Sequence, residues 1–167
     1  ERPTPPTIAA GMCFGAGSDG VVTARAMADG ALRWRFSVDG PVLTPPAYAS
    51  GWVFVPGGDG WVYALAAADG RLAWKRRLAP MARRILLFDQ LMSTWPVLSL
   101  AAADGVVYAS AGMVASDGGK SFALDAESGE ILWEHAHPAS SSAEKYDDQG
   151  FAGHIALIGE RVWTPGY

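Results

Sequence analysis

Residues 5–34, PPTIAAGMCFGAGSDGVVTARAMADGALRW, align without a gap to residues 45–74, PPAYASGWVFVPGGDGWVYALAAADGRLAW, at an offset of 40. The identities fall on turn residues: Pro5-Pro6 on Pro45-Pro46, Gly11 on Gly51, Asp19-Gly20 on Asp59-Gly60, and Asp29-Gly30 on Asp69-Gly70. Each copy closes on a tryptophan, Trp34 or Trp74. In the second copy, apolar runs at 47–49, 52–55, 61–65 and 71–76 are separated by Ser50-Gly51, by the glycine-rich stretch 56–60, and by Asp69-Gly70. Short runs of Val, Trp, Tyr and Phe punctuated by such turns predict a four-stranded antiparallel meander. A third copy spans 98–133, with Asp104-Gly105 before its second strand and Ser128-Gly129 before Trp133. A fourth starts at His154 and reaches its second strand by Tyr167.

A period near 40 with four strands per unit is the signature of an all-β propeller, whose sheets stack face to face around an axis. Helical repeats of that length are excluded, because glycine or Asp-Gly interrupts every five to seven residues and leaves no run at helical spacing. The expected architecture is one partial β-propeller over 1–167, about three and a half blades, at 5–40, 45–80, 97–137 and, as half a blade, 153–167. Insertion loops are expected at 81–96 and 138–152, with a shorter one at 114–120 that reads as a longer hairpin. Propellers close with about four to eight blades. The chain starts on a first strand and ends on a second, so the expectation is that it does not close alone. It is then a piece of a longer protein, or a module whose edges pair with something else.

Charge and cysteine content exclude several classes. The formal net charge of −4 argues against a general nucleic-acid binder. The single cysteine, Cys13, excludes an internal disulfide and reads as a small core residue of a second strand. No apolar run approaches the ~18 residues of a spanning helix, so no transmembrane segment is expected. The sequence opens on Glu1 with no basic-then-apolar leader, and any targeting segment is expected to be removed or to lie outside this sequence.

The third copy carries a family resemblance. Ala123, Asp125, Ser128, Gly129 and Trp133 match the A-x-D-x-x-T-G-x-x-x-W pattern of the PQQ-like (pyrroloquinoline quinone) repeat, with serine in place of threonine. The other copies keep Ala24, Gly30 and Trp34, and Ala64, Gly70 and Trp74, with alanine at the aspartate position. The resemblance implies that Trp34, Trp74 and Trp133 dock from the fourth strand of one blade onto the next, with Gly30, Gly70 and Gly129 in the structural turns. Through its overall pattern and the stretch around 95–97, the chain resembles the propeller lipoproteins of bacterial outer-membrane barrel assembly and large bacterial PQQ-like repeat proteins. That implies a periplasmic or cell-envelope location and a protein partner, or the rest of its own propeller.

Chemistry-bearing motifs are sparse. Residues 15–20 satisfy G-x-G-x-x-G, but the next copy has PGGDG there, followed by a strand, so a hairpin turn is expected in place of a dinucleotide site. His135 and His137 would share one face of an extended strand. With Asp147 or His154 they form a weak metal-site candidate, against a reading as exposed loop histidines. A quinone-dependent dehydrogenase would need a calcium-linked acid and asparagine, and often adjacent cysteines or C-x-x-C-H. The chain has no asparagine and one cysteine. The reading favours a non-catalytic binding or scaffold module with no cofactor. Its alternative is a fragment of a PQQ-dependent dehydrogenase, with PQQ and calcium bound in other blades. Insertions in propellers map to face loops where binding resides. Arg83, Arg84, Asp89 and Trp95 are the binding-loop candidates; the basic stretch 75–84 reads as a solvated strand end with a loop packed on the blades, and an anion or acidic-glycan contact is its alternative.

Overall fold

The computed structural model describes residues 2–87, 89–113, 118–137, 155–158 and 161–163, and no helix occurs among them. Three four-stranded antiparallel sheets are formed, each in simple meander order. The first holds β1 (Thr7–Ala9), β2 (Met12–Ala16), β3 (Val21–Ala26) and β4 (Leu32–Ser37). The second holds β5 (Ala47–Ala49), β6 (Trp52–Pro56), β7 (Trp61–Ala66) and β8 (Leu72–Arg77). Between it and the third sheet lies a separate two-stranded ribbon, β9 (Arg84–Leu87) and β10 (Gln90–Ser93). The third sheet holds β11 (Val97–Ala103), β12 (Val106–Ala111), β13 (Gly119–Asp125) and β14 (Ile131–His137), and a hairpin follows, β15 (Ala156–Ile158) and β16 (Arg161–Trp163). These are the blades of a partial propeller.

The repeat in sequence is a repeat in hydrogen bonds. Each first hairpin turns through two residues with positive φ, at Ala10-Gly11, Ser50-Gly51 and Asp104-Gly105, the twist that suits a two-residue connection between strands. Each third-to-fourth strand turn closes with the glycine N–H donating to a carbonyl four residues back: Gly30 to Ala26, Gly70 to Ala66, Gly129 to Asp125.

Burial follows from stacking. The middle sheet is covered on both faces, which explains why β6 and β7 read as nearly continuous apolar runs. Alternate residues of each strand serve different neighbours. Val53, Val55, Tyr63 and Leu65 join Phe14, Val22, Ala24 and Trp34 in one core. Phe54, Val62 and Ala64 join Val107, Ala109, Phe122 and Leu124 in the other. The uncovered face of the first sheet carries Cys13, Gly15, Thr23, Arg25 and Arg35 along a shallow cavity of about 520 Å³. Cys13 is therefore half-buried at a sheet face, outside both cores.

The insertion 81–96, expected as a loop, contains ribbon β9–β10. Of the stretch 114–120, residues 114–117 fall outside the described residues, as do all of 138–152 and part of the expected half-blade 153–167.

Candidate functional site

The ribbon stands where the chain leaves the second sheet and before it begins the third. Leu78 and Ala79 N–H groups donate to Gly60 O, and Ser93 N–H donates to Gly58 O at 2.7 Å. Both ends of the insertion are thus tied to the same β6–β7 turn. Pairing is regular, with Leu87 opposite Gln90, Leu86 opposite Leu91, Ile85 opposite Met92 and Arg84 opposite Ser93. Because strand side chains alternate between faces, Ile85, Leu87, Gln90 and Met92 share one face and Arg84, Leu86, Leu91 and Ser93 the other. The first set is half-buried or buried. On the second face Leu86 is 72% and Leu91 54% exposed.

At the ribbon's base a cavity of about 230 Å³ is lined by Asp59, Trp61, Arg77, Arg83, Arg84 and Ser93. Its acidic member is engaged. Asp59 accepts the Trp61 N–H at 3.2 Å and the Tyr63 hydroxyl, which donates to its other oxygen. Burial pushes the Asp59 carboxyl above its ordinary range, against the opposing pull of these hydrogen bonds. The Tyr63 hydroxyl is pushed up by burial and by the carboxylate it serves. Lys75 sits 5.0 Å from the Trp61 ring centroid, a cation–π contact. Arg76 points elsewhere and donates through Nε to Gly129 O at 2.6 Å, bridging to the third sheet. At its other end the ribbon leans toward the first sheet, where Asp89, Gln90 and Leu91 border a cavity of about 370 Å³ with Asp19, Asp39 and Pro41.

The sequence-based candidates divide. Arg83, Arg84 and Asp89 are exposed on the ribbon or beside it, and Asp89 adopts φ of 62° at the tip. Trp95 does not belong with them. It is 5% exposed within the core between the second and third sheets, where the apolar indole finds Phe54 and Leu78 in place of solvent. Its Nε1 and the Thr94 hydroxyl are buried without hydrogen-bond partners among the described residues. Leu86 and Leu91 escaped the sequence reading, whereas Arg77 belongs to its basic stretch 75–84. The available signal was a pair of short runs with apolar centres, 84–87 and 90–93, separated by two residues, which marks a hairpin.

His135 and His137 lie in strand β14, not in a loop, because their backbone pairs with Ser121 and Gly119. Their rings meet edge to face at 5.1 Å, and His137 Nε2 lies 3.0 Å from Ser121 Oγ. Burial, and secondarily the neighbouring His135, lower the His137 pKa. Asp147 and His154 lie outside the described residues. Among the described residues no three His, Cys, Asp or Glu side chains come together to hold a metal.

Two of the three repeat tryptophans reach across to the next sheet. Trp34 Nε1 donates to Ala67 O at 2.9 Å and Trp74 Nε1 to Ala126 O at 3.0 Å. Each ring lies over the turn glycine there. A Cβ on Gly70 would come within 2.6 Å of Trp34, and one on Gly129 within 2.6 Å of Trp74. Trp133 is 42% exposed and meets the Tyr108 ring of its own sheet. Around Gly30, the remaining turn, nothing among the described residues lies within 4 Å of the Cβ position.

A family model described as outer membrane protein assembly factor BamB matches residues 2–147. Among solved structures, BamB from Moraxella catarrhalis superposes with a TM-score of 0.69 at 16% identity, covering 93% of this chain and 44% of that one. The quinohemoprotein alcohol dehydrogenase from Comamonas testosteroni gives 0.66 at 23% identity, covering 80% and 20%. The computationally designed protein Ika4 gives 0.68 at 15% identity, covering 99% and 92%. The chain thus spans less than half the length of the BamB it matches. No curated protein matches the chain. At these identities the structural likenesses speak for the fold.

Proposed function

Since the chain belongs to the BamB family of PQQ-like repeat propellers, we propose that it is a non-catalytic binding or scaffold module that engages a protein partner in the bacterial cell envelope. The observation that carries this reading is the β9–β10 ribbon, which interrupts the repeat between the second and third sheets and turns leucines and arginine outward. Apolar side chains held on a scaffold without a covering element favour protein contact. The family membership supports a cell-envelope setting, and the described residues include no helix long and apolar enough to cross a membrane.

Two assays on the intact protein containing this chain test the reading. Cross-linking in envelope preparations is expected to give a discrete adduct with a second protein, attached through residues of the ribbon. Addition of pyrroloquinoline quinone and calcium is expected to produce no dye reduction with alcohols or sugars. Quinone-dependent dye reduction would establish the dehydrogenase reading in its place, and absence of any protein adduct would remove the scaffold reading.

A further inference from the structure

Resting on the binding-module reading, we infer that the outward face of ribbon β9–β10 and the arginine-lined cavity at its base form one docking site. Its occupant is an extended segment of a partner protein, with an apolar residue and a carboxylate two positions apart.

Three features of the ribbon converge on that occupant. The first is the open edge of β9. A two-residue connection between Leu87 and Gln90 makes them the closing hydrogen-bonded pair. Alternation then makes Leu86–Leu91 and Arg84–Ser93 non-hydrogen-bonded pairs, whose N–H and C=O groups point away from the ribbon. On the β10 side Ser93 N–H is taken by Gly58 O. On the β9 side, among the described residues, Arg84 and Leu86 make no backbone hydrogen bond to any further segment. An extended chain can add there as a third strand.

The second feature is the exposed Leu86–Leu91 cross-strand pair, which lies on the same face as Arg84. The third is charge. Arg77 and Arg84 line the basal cavity, and among the described residues neither has an ion-pair partner. The one carboxylate there, Asp59, is held by Trp61 N–H and the Tyr63 hydroxyl. Arg84 and Leu86 are two residues apart, or about 7 Å along a strand. A partner strand beside β9 would set an apolar side chain at Leu86 and, two residues along, a carboxylate at the Arg77 and Arg84 guanidinium groups, which suit bidentate recognition. Leucines with arginines also suit an anionic lipid surface. The concave cavity and the unpaired strand edge favour a peptide, since a bilayer fills neither.

Labelled eight-residue peptides test the site by fluorescence anisotropy with the 167-residue chain. One repeats Leu-Thr-Glu-Thr twice, and a control carries Lys in place of Glu. The Glu peptide is expected to bind at least about tenfold tighter than the Lys peptide at low salt. Leu86→Asp and Leu91→Asp, both at exposed positions, should each weaken it by about tenfold or more while leaving thermal unfolding unchanged. Arg84→Glu should reverse the preference, so that the Lys peptide binds better. Equal affinity for the two peptides, no Glu-peptide binding, or preference for phosphatidylglycerol vesicles over the peptide would each overturn the proposal. A Glu peptide that binds regardless of the ribbon variants would also overturn this site while leaving a binding module. Cross-linking of the intact protein tests that broader reading separately.

Discussion

Trp34 and Trp133 occupy the same position of the repeat, yet Trp34 is 7% exposed and Trp133 is 42% exposed. The difference lies outside their own sheets. Trp34 lies across the Gly70 turn and hydrogen-bonds Ala67 O, whereas Trp133 meets no such turn among the described residues. Its whole strand shows the effect, because β14 is exposed at every position but His137. The glycine side is symmetric with this. Gly70 and Gly129 lie under tryptophans, and Gly30 lies under none among the described residues. Each blade therefore carries half of a joint, an indole on its fourth strand and a turn that receives one. Burial is a property of the pair of blades.

The largest effects should come from emptying a filled joint. Trp34→Ala is expected to cost about 3–5 kcal/mol in urea unfolding, and Trp74→Ala, at a half-buried site, somewhat less. The receiving side separates two costs. Gly30, Gly70 and Gly129 share φ near +70°, so alanine at any of them bears left-handed strain of about 1–2 kcal/mol. At Gly70 and Gly129 the new methyl also meets an indole at 2.6 Å, adding about 1–3 kcal/mol of overpacking. Gly30→Ala should therefore be the mildest of the three, and equal losses would break the comparison.

Smaller still, Trp133→Ala should cost under about 1 kcal/mol, as at a surface position. The buried turn acid gives the last contrast. Burial raises the Asp59 pKa above its unfolded value. Its protonated form therefore adds stability that is complete below the ordinary carboxylate range, about pH 4. That stability is lost as pH rises through the folded-state pKa. Asp59→Asn should hold its urea midpoint more level than the parent as pH rises from 4 to 7, whereas parallel curves would contradict the assignment.

Much of this architecture was legible because its determinants are local. Asp-Gly and Ser-Gly turns specify their own hairpins, and a 40-residue offset specifies that the hairpins recur. The doubly covered middle sheet could also be read, from apolar runs such as WVFV where the first copy has MCFG. What stayed hidden depends on neighbours. Nothing at Trp133 itself distinguishes it from Trp74, since the contact that Trp74 makes belongs to another blade. Trp95 reads as a loop residue because it lies within the insertion 81–96, but the chain re-enters the stack at Ser93 and buries it. The ribbon was obscured by its basic beginning, which reads as a solvated stretch, although its pairing about a two-residue connection was present in the sequence.

Hydrogen exchange of the assigned indole N–H protons tests the joint most directly, since it observes both bonds and the exposed counterpart in one sample without a mutation. Trp34 and Trp74 indole protons should be protected to nearly the extent of the surrounding strands, and the Trp133 proton should exchange close to the rate of free indole. Similar rates at all three positions would contradict the account.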